Sequence, residues 1–310
     1  MHTTTIIRDE SWLPSLPLHY QLFDYAGIER KEYLHTAQVM TIDPETKVLR
    51  KISKRYDNWA DSRWFLENGY PYLAIHEYIM DLINSNFDEW RKQNPNMPLK
   101  DFNFDVEKMS KSGAVFDITQ LNVVSKNIIS KMNKDELFDC SYSFAKDYDK
   151  ELLDLIELDK EYYKKVINIE REKENPCKDL TTLKDILENV WYMYDEKFFN
   201  KDRNYDFKKI NEKEEIIKVV SSYLQNYYDE KDDKDTWFNK IKSMCNELGY
   251  CADGKEYKKN PQNYKGSLSD ICTCLRVAIT KKSNTPDMFE IFKVLGKDKL
   301  NKRLEVLHSL

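Results

Sequence analysis

A mainly α-helical fold is predicted for this chain of 310 residues, and three observations predict it. From about Asp117 onward, apolar residues recur at helical period with little interruption. Only 7 Gly and 9 Pro occur, which argues against collagen-like sequence, long flexible linkers and a Gly-rich phosphate loop. Hydrophobic residues make up 41% and charged residues 33%, the balance of a helix-rich globular protein rather than a disordered or membrane one. The length allows two domains, each with its own core.

The N-terminal part departs from the helical pattern. Thr3 to Ile7 is β-branched throughout and predicts a buried strand. Ser11 is a candidate helix cap before Trp12, and Pro14 and Pro17 break up the turn that follows. Leu18, Leu22 and Phe23 then form one apolar helical face, closed by Gly27. Val39 to Ile42 and Lys47 to Leu49 flank Asp43-Pro44-Glu45-Thr46, the pattern of a hairpin with a Pro-containing turn. Asp61 to Asn68 reads as a helix ended by Gly69-Tyr70-Pro71. Leu73 to Asn84 reads as a second, with Leu73, Ile75, Tyr78, Ile79, Leu82 and Ile83 on its apolar face. Pro95 and Pro98 mark a loop.

Downstream, Leu121-Val124-Ile128-Ile129, Leu152-Leu155-Ile156, Leu183-Ile186-Leu187-Val190 and Ile216-Ile217-Val220-Leu224 keep helical spacing. Leu275-Ala278-Ile279 and Met288 to Leu295 stand either side of a helix start at Pro286. Glu170 to Pro176 is charged and predicts an exposed connection. The expected division is residues 1–145 and 146–310.

The formal charge is −5, from 49 basic and 54 acidic residues. That excludes a strongly basic packaging protein, although nucleic-acid contact depends on a local stripe rather than on the sum. Six Cys occur without paired CxxC spacing or a His pair, so no metal site is expected. No run of ~18 apolar residues is available to cross a bilayer. A cytoplasmic protein with free thiols is the expectation.

Directly after the hairpin comes Lys51-Ile52-Ser53-Lys54-Arg55. Two lysines and an arginine on a loop can close over a triphosphate and neutralise charge at the α-phosphorus, and Ser53 can add a hydroxyl hydrogen bond. In a Lys-rich chain the bare pentapeptide is also expected by chance. A rival, Lys108-Met109-Ser110-Lys111-Ser112, lies downstream.

Long segments around these motifs resemble bacterial glutamyl-tRNA synthetases. Arg8 to Pro17 (RDESWLPSLP) resembles the segment closing the amino-acid pocket. Arg50 to Pro71 (RKISKRYDNWADSRWFLENGYP) resembles the ATP loop and its following helix. Tyr78 to Trp90 (YIMDLINSNFDEW) continues the match. Glu107 to Ile129 resembles a stretch in the tRNA-stem-contacting region, and Tyr257 to Glu305 the anticodon-binding region.

The resemblance implies a small α/β remnant carrying the KISKR loop, then helical stem-contact and helical anticodon-binding domains. It implies ATP-dependent charging of glutamate tRNA in the complete enzyme, with ATP and Mg as its cofactors and none retained tightly by this chain. By position KISKR is the ATP loop, with Lys54, Lys51 and Ser53 catalytic and Ile52 and Arg55 completing the ATP contact. Arg8 is the candidate for the amino-acid carboxylate. The family pattern has Gly and Glu where Asp9 and Ser11 stand, so Asp9 is expected to neutralise Arg8. The family's V-A-L-T-G reads Val277-Ala278-Ile279-Thr280-Lys281, so either the turn is rebuilt or its lysine contacts RNA.

The family's His-x-Gly-His motif does not occur in the chain and is expected to lie before Met1. The isolated chain is therefore expected to be inactive, either as part of the ligase or as a free-standing tRNA-binding paralogue. Lys258, Lys259, Lys265 and Arg276 are candidate tRNA contacts, beside the simpler readings of a solvated loop and an internal ion pair. Tyr192, Tyr194, Phe198 and Phe199 are read as core before base-stacking platform. A monomer is expected, with tRNA as partner and neither DNA nor membrane.

Overall fold

Short polar side chains begin many of the helices in the computed structural model, which describes residues 2–109, 113–202 and 205–308. Asn133 accepts from the backbone N–H groups of Asp135 and Glu136, and Glu136 returns a bond in a full capping box. Asp149, Asp159, Asp233 and Asp253 each accept from an N–H of the first turn they precede. Such caps satisfy donors that a helix start leaves without an intrahelical partner.

By internal contacts the chain divides into two units, Met1–Ile129 with Leu180–Lys184, and Ser130–Asp179 with Asp185–Leu310. The charged stretch from Glu170 to Pro176 lies inside the second unit. Among the described residues no helix is long and apolar enough to cross a membrane.

The first unit opens with β1 (Thr5–Asp9), α1 (Leu16–Tyr25) and β2 (Glu32–Thr36). β1 and β2 pair in parallel, Ile7 opposite Leu34 and Asp9 opposite Thr36. The strand predicted here begins later and is not buried, since Ile7 is 60% exposed. Asp9, rather than Ser11, caps the short 3-10 turn that follows. Leu18 and Leu22 do form one face of α1, and both are exposed.

Next come β3 (Val39–Ile42) and β4 (Leu49–Lys51), antiparallel as the hairpin pattern predicted, with β5 (Ala114–Val115) parallel on the other edge of β3. Helices α2 (Ser62–Glu67), α3 (Tyr72–Ile83), α4 (Phe87–Gln93) and α5 (Ile118–Lys131) complete this part. The unit's core gathers Tyr70, Tyr78 and Leu121, with Trp64, Phe65, Ile75 and Phe116 against them. The Tyr78 hydroxyl accepts from the Asp117 N–H at 2.7 Å, joining α3 to the start of α5.

The second unit is helical: α6 (Lys134–Tyr148), α7 (Lys150–Leu158), α8 (Lys160–Ile167), α9 (Asp185–Val190), α10 (Asp195–Asn200), α11 (Lys213–Ser222), α12 (Lys234–Glu247), α13 (Gly254–Lys259), α14 (Leu268–Thr280) and α15 (Met288–His308). Gly296, at φ 72°, breaks α15 into two stretches. Leu152, Leu155, Ile156, Ile186, Ile216, Val220, Leu224, Leu275 and Ile291 are buried as the spacing predicted. The mainly helical class with small sheets is therefore found.

Gly69 makes the return of residues 180–184 possible. It sits at φ +75°, and a Cβ there would lie 2.7 Å from the Lys184 nitrogen. Its carbonyl accepts from the Leu183 N–H at 2.8 Å. Gly69→Ala is expected to combine left-handed strain with a backbone clash and to cost about 2 kcal/mol or more. Thermal or urea unfolding of the two proteins measures that loss.

Candidate functional site

The KISKR segment is a turn whose two ends are fastened by one arginine. Arg50, in β4, donates from Nε to Asp43 at 2.9 Å. Its Nη1 and Nη2 donate to the two oxygens of Asp57 at 2.7 and 2.8 Å. Asp57 also accepts from the Ser53 N–H at 2.8 Å, and its own N–H donates to the Ser53 carbonyl. Asp43 meanwhile accepts from the N–H groups of Glu45 and Thr46, forming the hairpin turn.

These bonds shift both carboxylates in one direction. Asp43 is held at about 2, first by the Thr46 N–H and then by Arg50. Asp57 is buried at 6% exposure, yet its bonds to Arg50 outweigh burial and lower it too. The turn is thus braced from beneath by Arg50, while Lys51, Lys54 and Arg55 are exposed. None of these three forms an ion pair among the described residues. Ile52 and Ser53 are half-buried.

Arg8 lies over the Trp12 ring, 4.4 Å from its centroid. The expected neutralisation by Asp9 is not what the geometry shows. Asp9 accepts from both the N–H and the hydroxyl of Ser11, the other changed position, and these bonds hold its carboxyl low. Lys51 lies close enough to lower Asp9 further. Of the rival motif, Lys108 ends a 3-10 turn and Met109 bridges to Asn84. Ser110, Lys111 and Ser112 lie outside the described residues.

In the second unit, Lys258 and Lys259 are exposed at the end of α13. Lys265 pairs with Glu215 at 2.9 Å. Arg276, in α14, is half-buried, and its buried Nε has no hydrogen-bond partner among the described residues. Tyr192, Tyr194 and Phe198 are core, at 4% exposure or less, and Phe199 reaches 38%.

Sequence reading did not find a cavity that lies in this unit. It has about 320 Å³ and is lined by Asn189 and Tyr192 from one stretch and by Lys282, Asn284 and Thr285 from another, together with Glu170, Cys177 and Asp179. Burial, then Asp179, pushes the Cys177 thiol up to about 12, so it is a neutral wall at physiological pH. Amides, hydroxyls and carboxylates offer donors and acceptors together, the mixture that reads the edge of a flat heterocycle. The stretches that form it are far apart in sequence, and none carries a motif. Among the described residues no cluster suited to a metal ion occurs.

Residues 258–307 match the family described as an anticodon binding domain. A glutamate–tRNA ligase of Acetivibrio thermocellus is 41% identical over 307 residues, covering 99% of this chain and 55% of the relative. One of Clostridium perfringens strain 13 is 40% identical over 305 residues, covering 98% and 55%. The chain thus spans about half the length of the curated relatives it matches. Among solved structures, a glutamate tRNA ligase from Elizabethkingia meningosepticum, in complex with its amino acid, matches 99% of this chain and 57% of its own. The TM-score is 0.63 at 18% identity, a likeness of fold.

The Arg50 brace has a pH signature. Both carboxylates titrate lower in the fold than the ~3.9 of an unfolded aspartate, so their contribution is complete above about pH 5. It is lost as pH falls through about 4 towards about 2. Arg50→Gln is expected to lower the melting temperature near neutrality, and its difference from the unsubstituted protein is expected to shrink across that acid range. Melting curves at stepped pH check both statements.

Proposed function

We propose, on the premise that this chain is homologous along its length to the C-terminal part of glutamate–tRNA ligases and carries an anticodon binding domain, that its second unit holds the anticodon arm of glutamate tRNA. One observation carries the reading. The matched anticodon binding segment contributes Lys282, Asn284 and Thr285 to a polar cavity, and contains Arg276, whose Nε has no partner among the described residues. A splayed-out anticodon base needs such a pocket of hydrogen-bonding edges. The exposed Lys258 and Lys259 supply phosphate contacts, whereas Lys265 is engaged with Glu215. The chain acts as a cytoplasmic monomer on tRNA rather than on DNA.

The first unit is proposed to supply the ATP loop of glutamate charging in the complete enzyme. Lys54 and Lys51 neutralise charge that builds on the phosphates as the glutamate carboxylate attacks the α-phosphorus and the α–β phosphoanhydride bond breaks to release pyrophosphate, and Ser53, Ile52 and Arg55 complete the contact. Magnesium, when bound with ATP, adds further charge neutralisation. Arg8 is the proposed contact for the amino-acid carboxylate, with the neighbouring Asp9 kept anionic by its bonds from Ser11. Arg50 presents the loop by bracing it, so the cations above it are available to phosphate.

Filter binding with glutamate tRNA is expected to weaken by about tenfold or more between low and physiological salt, because phosphate contacts release counterions. Arg276→Gln is expected to cost about another tenfold for this tRNA and little for unrelated RNA. Equal affinity for all RNAs would sink the anticodon reading. Separately, the purified chain is expected to show no glutamate-dependent exchange between pyrophosphate and ATP. Detectable exchange by this chain alone would overturn the expectation that the loop works only in the complete enzyme.

A further inference from the structure

We propose that Lys281 is a positioning residue for the cavity of the second unit, tying the end of α10 to the turn that carries Lys282, Asn284 and Thr285. The inference rests on the reading of that cavity as the seat of an anticodon base. Lys281 closes α14 in a left-handed conformation, at φ 56° and ψ 14°. That conformation is costly for a residue with a Cβ and is the usual place of glycine after a helix.

The side chain accounts for the choice. Its Nζ donates to the carbonyls of Phe198 and Lys201, at 2.6 and 2.9 Å, and stands 4.5 Å from the Phe198 ring centroid. These carbonyls lie at the C-terminal end of α10, where acceptors lack intrahelical partners and a cation is favoured. A glycine at 281 would relieve the backbone and supply no tie. Strain and tether therefore come as one device.

Its neighbours work the same way. Lys282 Nζ donates to the Glu188 carbonyl at 2.6 Å. Arg303 donates to the carbonyls of Ile279 and of Tyr192, the latter at 2.6 Å. The turn after α14 is thus laced to residues 188–201, the stretch that contributes Asn189 and Tyr192 to the cavity. Of the two outcomes open for Lys281 in the sequence, the rebuilt turn fits this geometry, and the ammonium is occupied by protein rather than offered to RNA.

Three variants of the full chain test this: Lys281→Met, which keeps the methylene stem, Lys281→Gly, which frees the backbone, and Lys281→Arg, which keeps a donor. The probes are a stem-loop RNA with the glutamate anticodon and the same stem-loop with single anticodon bases changed. Lys281→Met and Lys281→Gly are expected to lose about tenfold in discrimination between these RNAs. Lys281→Gly should do so without a fall in melting temperature, and Lys281→Arg should retain discrimination. Amide exchange of residues 282–286 should rise in Lys281→Met relative to the rest of the unit.

Unchanged exchange with unchanged discrimination overturns the proposal. So does unchanged exchange with a uniform loss of affinity for every RNA, which would make Lys281 a direct RNA contact. If the unsubstituted chain discriminates between none of the RNAs, the anticodon reading fails by itself. Exchange at 282–286 then still decides whether Lys281 positions the turn.

Discussion

Much of the second unit hangs on one buried guanidinium. Arg303 has no exposed surface, lies in α15 beyond its break at Gly296, and spends two of its donors on the carbonyls of Ile279 and Tyr192. Asp195 stands 3.7 Å away and the Phe198 ring 4.3 Å from the guanidinium carbon. Burying such a charge is expensive unless its donors are met. Burial lowers its proton affinity only to about 10, so the group stays cationic at neutral pH. Oriented carbonyls at chain turns supply much of the compensation, and the same bonds join two stretches far apart in sequence. A hydrophobic side chain of similar size would fill the space and join nothing.

The first unit uses its cations with a different division of labour. Arg50 is committed to Asp43 and Asp57, two carboxylates that already organise backbone N–H groups on either side of it. The side chains above the brace are the ones left for a ligand. In the proposed role of this loop, a backbone fixed before the ligand arrives means that less ordering is required on binding. At Asp9 and Ser11 the two departures from the family pattern meet each other in a local hydrogen bond.

How far the sequence could be read depended on how local the determining interaction is. The helix predicted from Leu73 to Asn84 is found as Tyr72–Ile83, and that from Asp61 to Asn68 as Ser62–Glu67, since period and stop signals act over a few residues. β2 was not legible: Glu32-Tyr33-Leu34-His35-Thr36 lacks a clean alternation, and its partner β1 is reached only by a parallel crossover. Helical spacing found a face at Leu18 and Leu22 without saying what covers it, and both are exposed. Arg303 carried no sequence mark among many charged residues near the C-terminus. Lys281 stood out as a departure, yet its destination depended on carbonyls about eighty positions earlier.

The short return of Leu180–Lys184 to the first unit bears on the order in which the chain can mature. A ribosome that has released residue 129 has not yet supplied the backbone that meets Gly69. The intervening segment, 130–179, must emerge first, and it belongs to the other unit. Synthesis from one end therefore cannot finish the units one after the other. The earlier one waits, with the Gly69 carbonyl unpaired by Leu183, until the later one is under way.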